Sequence, residues 1–429
     1  MKVLNFEEAR IALARRYEPL DHVAKTVREV LQAIRERGDD ALIEFEEKFD
    51  RVRFASAENL RVTEAEFTAA ESSLDPETEE AIRLSRENVI AFAEKSMRRD
   101  WEGKNAQGVE IGEIFQPFER VGIYVPGGTA PLVSTVNMTV SIAKAAGCPE
   151  IVVCTPPQPD GSINPAMLYA LRAAGATEVY KLGGAQAIAA MATGTKTIDP
   201  VHKIFGPGNA YVMEAKRQAF GAVAIDLLPG PSEILVLADQ TGNPAWIASD
   251  LLAQAEHGGD SVAVLVSDSQ DLLDAVQREV DSQAEKLTRQ GPLRQVLEKS
   301  CTLVKVDSID QGIELTNEFA PEHLSLIAED DETLIPKVRT AGAIFLGNYS
   351  PVAAGDFAVG PSHELPTGGA GKCFPGLTVD QFQRRTSIVR LSRESLAKTA
   401  PIIQAFSEIE GLDAHGNSAA IRLREEQGS

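Results

Sequence analysis

Between residues 21 and 37 the apolar side chains Val23, Val27, Val30, Leu31 and Ile34 recur at helical spacing and predict a helix. A second helix is predicted to start at Pro76-Glu-Thr-Glu-Glu, with proline in its first turn and acids near its positive end. The first hundred residues or so read as helical throughout. From about residue 120 the pattern changes to short apolar runs, each followed by a glycine-rich loop and a helical stretch. Val121-Gly-Ile-Tyr-Val-Pro-Gly-Gly leads into a helix ending near Ala146, and Ile151-Val-Val-Cys-Thr is a buried strand. Glu178-Val-Tyr-Lys-Leu-Gly-Gly leads into a helix over 185–191, and Lys203-Ile-Phe-Gly-Pro-Gly into one over 210–220. The alternation recurs with strands at Ile234-Leu-Val-Leu, Val262-Ala-Val-Leu-Val, Leu324-Ser-Leu-Ile and Ala343-Ile-Phe-Leu. Strands alternating with helices imply parallel sheets covered on both faces. Two α/β blocks follow, over about 120–230 and 230–350, with no internal repeat period. Residues 350–377 are rich in Gly, Pro and Ser and read as loop, and from Val379 the chain reads as a polar helical appendage.

At 429 residues the chain exceeds a single core, so more than one domain is expected. It carries 63 acidic against 42 basic residues, a net charge of −21. That opposes binding to nucleic acid or an anionic membrane, which needs a basic face. It leaves an anionic cofactor open, because a few backbone amides hold a phosphate. There is no apolar run long enough to span a membrane and no signal-like start. Cys148, Cys154, Cys301 and Cys373 show no paired spacing, so reduced thiols and a cytoplasmic protein are expected.

The chain has only six histidines. Three stand beside or near carboxylates, as Gln254-Ala-Glu-His257, Pro321-Glu322-His323 and Asp413-Ala-His415. A helix from Pro244 to His257 would place Gln254 and His257 on one face, as two neighbouring metal donors. The same residues fit a histidine that merely caps the last carbonyls of a helix. Glu322 and His323 fall where Pro321 stops a helix and a strand begins, which suits either a positioned acid–base pair or an ordinary polar turn. Asp356, in Ala354-Gly-Asp, follows the 343–349 strand, as a ligand-site carboxylate or as a turn residue bonding its own backbone. His415 alone reads as a solvated loop histidine. His363 is equally well placed, without an assignable role. Together Gln254, His257, Asp356 and His415 would make an N₂O₂ set suited to Zn²⁺, and less well to Mn²⁺ or Co²⁺. Neither Gly206-Pro-Gly-Asn nor Gly368-Gly-Ala-Gly-Lys completes a phosphate-binding fingerprint. A dinucleotide can still lie across the loops at 124–128, 183–186 and 206–209, each between a strand and a helix.

These segments, with Gly230-Pro-Ser-Glu, Ala320-Pro-Glu-His-Leu and Gly411-Leu-Asp-Ala-His, resemble the histidinol dehydrogenase family over about residues 20–420. Leu228-Pro229 departs from the family's usual residues before that glycine. The resemblance implies oxidation of L-histidinol to L-histidine through an aldehyde, with two NAD⁺ and one zinc per subunit. It implies that Gln254, His257, Asp356 and His415 bind zinc and that Glu322 and His323 handle protons. It places Ser232, His323 and Glu410, with the metal ligands, against substrate, and Tyr124, Gln186 and Asn209 against NAD. It further implies a homodimer with shared sites and two incomplete Rossmann-like parallel-sheet domains, with a helical N-terminal segment and a helical C-terminal appendage. The expected division is an arm over 1–18, one α/β domain over 19–122 and 233–377, an NAD-contacting domain over 123–232, and a domain-swapped appendage over 378–429.

Overall fold

A computed structural model describes residues 1–14, 21–127 and 131–424. Part of the expected arm and Gly128 of the first loop lie outside them. The chain forms two compact units, the first comprising residues 1–96 and 118–382 and the second residues 97–117 and 383–429.

The first unit contains two parallel sheets. The five-stranded sheet runs in the order Glu178–Lys181, Glu150–Thr155, Arg120–Tyr124, Lys203–Phe205, Ala224–Ile225. Its chain steps outward to one edge and then crosses back to the other side of Arg120–Tyr124. That reversal is the switch point where open α/β sheets accommodate ligands at the carboxyl ends of their strands. With five strands and no complete glycine fingerprint, it is an incomplete member of the dinucleotide-binding class. The helix Asp21–Arg37, formed over the residues its periodicity predicts, buries Val23, Val27, Val30 and Ile34 in the core on this sheet.

The six-stranded sheet runs in the order Lys2–Asn5, Cys301–Lys305, Val262–Ser267, Glu233–Ala238, His323–Ile327, Ala343–Leu346. Glu233–Ala238 and His323–Ile327 are buried at every residue, as strands covered on both faces must be. Helix Pro244–Ala255 covers one face, with proline in its first turn and the Asn243 side chain accepting from the backbone N–H groups of Ala245 and Trp246. Helix Ile309–Phe319 covers the other; a Cβ on Gly312 would stand 2.4 Å from Leu237 Cδ1, so only glycine allows that approach.

The second unit holds an antiparallel sheet of Trp101–Lys104, Glu110–Pro117 and Gln383–Arg390. Helices Arg393–Glu410 and Asp413–Leu423 follow, the first closed by left-handed Gly411 at φ 69°. No helix among the described residues is long and apolar enough to cross a membrane.

Four local expectations differ from what forms. The helical N-terminal region opens with strand Lys2–Asn5, recruited by pairing with Cys301–Lys305, a strand the apolar-run reading did not pick out. Asp356 sits on a short helix, Val352–Phe357, within a stretch expected to be loop. The appendage passes from a short 3₁₀ turn at Val379–Phe382 into a strand, because polar Gln383–Arg390 finds its partner in Glu110–Pro117. His415 lies on a helix rather than in a loop. Strands of one antiparallel sheet drawn from distant polar segments carry little apolar signal.

Candidate functional site

The acid–base residues gather at the amino ends of the six-stranded sheet. His323 is the first residue of its strand, in register with Ile234 on one side and Ala343 on the other. Glu322 precedes it, delivered by helix Ile309–Phe319, whose cap Ala320 takes a left-handed conformation at φ 54° and turns the chain sharply into Pro321. Both side chains are buried, Glu322 at 6% and His323 at 3% exposure.

The carboxyl ends of these strands are occupied otherwise. There Asp239 accepts from the Glu329 and Thr241 backbone N–H groups and closes the switch point. Placing Asp356 past a strand's carboxyl end therefore needs correction. The chain leaves that end, and helix Val352–Phe357 brings the carboxylate back to the amino-end cluster. Asp356 Oδ1 stands 3.7 Å from His323 Nε2.

A chain of hydrogen bonds fixes Glu322. Gln254 Nε2 donates to Ser232 Oγ at 2.7 Å, and Ser232 Oγ donates to Glu322 Oε2 at 2.6 Å. The Glu233 backbone N–H donates to the same oxygen at 2.8 Å. Burial nevertheless pushes the Glu322 carboxyl up to about 8, against those two donors. His323 Nδ1 faces the Glu233 carbonyl at 3.3 Å, so the neutral ring directs its Nε2 lone pair toward Asp356. Burial pushes this imidazole down to about 4, opposed by Asp356 and by the Glu233 carbonyl.

His363, without a role in the sequence, joins the cluster. Its Nδ1 lies 2.9 Å from the Asp356 backbone carbonyl, and its Nε2 lies 3.2 Å from Thr135 Oγ1 and 3.6 Å from Glu364 Oε1. Burial opposes its charge, but Glu364 and Asp356 outweigh that and raise its pKa. Thr135 belongs to the first turn of helix Val133–Ala145, downstream of the loop at the carboxyl end of Arg120–Tyr124. The Thr135–His363 contact thus joins the carboxyl-end loops of one sheet to the amino-end cluster of the other. Beside it opens a hollow of about 750 Å³ whose walls include His323, Phe345, Gly355, His363 and Leu365.

His257 differs from expectation. Helix Pro244–Ala255 stops before it, and its backbone N–H reaches the Gln254 carbonyl at 3.3 Å as the chain unwinds toward Gly258. Its ring is exposed, yet near enough to repel a charge on His323. Asp356 and His257 thus lie near His323, while Gln254 reaches Ser232 beside Glu322. Among the described residues no three His, Cys, Asp or Glu side chains converge as a metal cluster. Glu410 and His415 belong to the second unit, where they line one hollow of about 250 Å³ with Ile402, Phe406 and Leu412.

Tyr124, Gln186 and Asn209 all stand at carboxyl ends of the five-stranded sheet. The Tyr124 hydroxyl accepts from the Gly184 N–H at 3.1 Å. Asn209 Oδ1 caps helix Ala210–Ala219, accepting from the Tyr211 and Val212 N–H groups. Gln186 is buried, and its Nε2 donates to Glu46 Oε1 at 2.8 Å and Asp50 Oδ2 at 3.0 Å. Sequence reading missed Glu46 and Asp50, because Glu44-Phe-Glu-Glu-Lys-Phe-Asp50 has the look of a solvated helix face. It missed Thr135 and Glu364 for want of any local signal.

The histidinol dehydrogenase family model matches residues 13–423. A histidinol dehydrogenase of Heliobacterium mobile is 45% identical over 402 residues, 94% of each chain. One of Methanosarcina barkeri is 43% identical over 425 residues, 99% of this chain and 97% of its own. The crystal structure of histidinol dehydrogenase from Elizabethkingia anophelis superposes with a TM-score of 0.95 at 38% identity, covering 99% of this chain and 98% of that one. A match of this length in both sequence and fold, over a chain that gathers Glu322 and His323 in one buried site, places the protein in the histidinol dehydrogenase family.

Proposed function

We propose that this enzyme oxidises L-histidinol to L-histidine through the aldehyde, transferring two hydrides to two NAD⁺ in the last steps of histidine biosynthesis. The observation that carries the reading is the buried Glu322–His323 pair, with His323 Nε2 turned toward Asp356 and Glu322 held by Ser232 and the Glu233 N–H. His323 takes the carbinol proton at Nε2 as the first hydride leaves. Ionised Glu322 takes a proton from water, which adds to the aldehyde, and the resulting diol loses the second hydride and a proton. The balance is two hydrides and three protons out for one water in. Ser232, Gln254, His257, His323, Asp356, Glu410 and His415 contact the amino alcohol. Tyr124, Gln186 and Asn209 contact NAD.

The donor types of Gln254, His257 and Asp356, an amide oxygen, an imidazole and a carboxylate, fit one zinc ion per subunit. Among the described residues the His257 ring makes no hydrogen bond, and Gln254, its Nε2 spent on Ser232, keeps Oε1 as its ligand atom. Bound there, zinc would act as a Lewis acid that orients the substrate. As the family resemblance implies, His415 and Glu410 are assigned to the site of a second copy, making the protein a homodimer with shared sites. The expected boundaries of 1–18, 19–122 with 233–377, and 123–232 do not follow the packing: Lys2–Asn5 pairs in the six-stranded sheet, helix Asp21–Arg37 packs on the five-stranded one, and the 122/123 boundary cuts strand Arg120–Tyr124. The NAD-contacting domain therefore takes in that helix and strand, with the swapped appendage over 378–429. The enzyme works in the cytoplasm.

Replacing Glu322 by Gln together with His323 by Asn tests the reading. Bound zinc, measured by elemental analysis, stays at the wild-type level while turnover is abolished. Unchanged turnover in the double variant contradicts it.

A further inference from the structure

In a dinucleotide-binding α/β sheet, the ribose hydroxyls next to adenine are taken by a carboxylate near the end of the strand beside the central one. Here that strand is Glu150–Thr155, and it runs out into Thr155-Pro156-Pro157, with no carboxylate at its end. A carboxylate reaches the same place from elsewhere in the chain. The turn Glu46–Asp50 is a π-helix, a form that is rare and often marks functional positions. It lays Asp50 against the loop after the next strand. A Cβ built on Gly183 would lie 2.8 and 2.9 Å from the two Asp50 carboxylate oxygens and 3.0 Å from Pro156 Cβ. Only a glycine at 183 lets the two loops and the carboxylate meet.

Beneath Asp50 lies Glu46, fully buried, its Oε1 accepting from the Gly183 N–H at 3.1 Å and from Gln186 Nε2 at 2.8 Å. Glu46 Oε2 is buried without a hydrogen-bond partner. Asp50 is the neighbouring acid, its Oδ2 held at 3.0 Å by the same Gln186 nitrogen. Burial first, and then the charge of Asp50, hold the Glu46 proton on; burial raises Asp50 as well, opposed by the hydrogen bonds from Gln186 and Glu46. Both carboxyls accept from the one Gln186 amide nitrogen, too close together for both to ionise, so the pair holds one negative charge, on the outer and only partly buried Asp50. Gln186, its amide nitrogen committed to both acids, is fixed in orientation.

We propose that Asp50 accepts the adenosine ribose hydroxyls of the dinucleotide, and that its charge selects NAD over the 2′-phosphorylated analogue NADP. This deepens the reading of Tyr124, Gln186 and Asn209 as NAD contacts and rests on it. A phosphate on the 2′ oxygen would meet the negative charge of that pair.

The test compares wild type, Asp50→Asn and Glu46→Gln. Dissociation constants for NAD and NADP are measured by calorimetry, KM and kcat for each are measured with L-histidinol, and thermal melts check the fold. In Asp50→Asn, NAD binding weakens by about tenfold or more, as expected for a lost charge-assisted hydrogen bond, kcat at saturating NAD is unchanged, and the preference for NAD over NADP falls by about tenfold or more. Glu46→Gln, which copies the protonated acid, keeps the wild-type preference. A folded Asp50→Asn protein with wild-type NAD affinity and an unchanged NADP-to-NAD ratio overturns the proposal. If wild type itself binds no NAD, the underlying reading of the NAD contacts fails, and the role of Asp50 falls with it.

Discussion

Asp356 Oδ1 and His323 Nε2 face each other across 3.7 Å, although one residue rides on a returning helix and the other opens a buried strand. This relationship puts a carboxylate beside the His323 nitrogen proposed to accept the proton, at the amino edge of the sheet. Asp356→Asn keeps the shape and removes the charge. Turnover is expected to fall by about 10²-fold or more, the scale of a disturbed acid–base group, with a parallel loss of bound zinc. Wild-type kcat/KM together with full zinc content would remove Asp356 from the site.

Glu322→Gln separates the two oxidations. The variant keeps the Ser232 and Glu233 N–H contacts near the side chain but has no carboxylate to accept a proton from water. The first hydride transfer survives, and the second slows by about 10²–10⁴-fold. Rapid-quench analysis of a single turnover then shows aldehyde accumulating. Equal slowing of both steps would mean that Glu322 acts in the first oxidation as well.

The pH dependence of the second step follows from the same residue. Burial pushes the Glu322 carboxyl up to about 8, and water activation needs the ionised form. The rate of aldehyde oxidation therefore rises with pH and levels off above about 8. Stability moves the other way. Between the ordinary carboxylate range and about 8 the folded protein holds a proton that the unfolded chain has released, so stability is lost as pH rises through that window. Glu322→Gln has no such loss, and its melting temperature relative to wild type climbs with pH. Parallel melting curves across that range would show that the carboxyl is not held protonated.

The architecture was legible because buried parallel strands announce themselves. Glu233–Ala238 and Glu150–Thr155 are nearly unbroken apolar runs, and Asp21–Arg37 has a clean helical stripe. Polar edge elements left no such trace: Lys2–Asn5 and Gln383–Arg390 become strands only because a partner strand is there to pair with. Glu322 and His323 could be picked out from Pro321 and the change of element around them. The return of Asp356 to them could not, because it depends on where Val352–Phe357 folds back. The link from Thr135 to His363 joins residues 228 positions apart and has no local signature.

Gly206 tests the third of the loops proposed to hold the dinucleotide. Its φ is 105°, and an added Cβ would stand 2.1 Å from the Tyr124 carbonyl oxygen. Its N–H is held by Asp226 at 2.8 Å, and its carbonyl accepts from the fully buried Lys216 ammonium at 2.8 Å. Gly206→Ala must move the loop that starts helix Ala210–Ala219. A stability loss of about 1–3 kcal/mol is expected from the strained backbone. NAD affinity should weaken, while zinc content stays at the wild-type level. Unchanged NAD affinity in calorimetry would place the dinucleotide away from this loop.

The most direct test of the account is the stoichiometry of the complete reaction, with L-histidinol limiting, NAD⁺ in excess and NADH followed by absorbance to its end point. The account predicts two NADH per L-histidinol, with histidine as the sole product. One NADH with aldehyde released, or no NADH at all from L-histidinol, would contradict it.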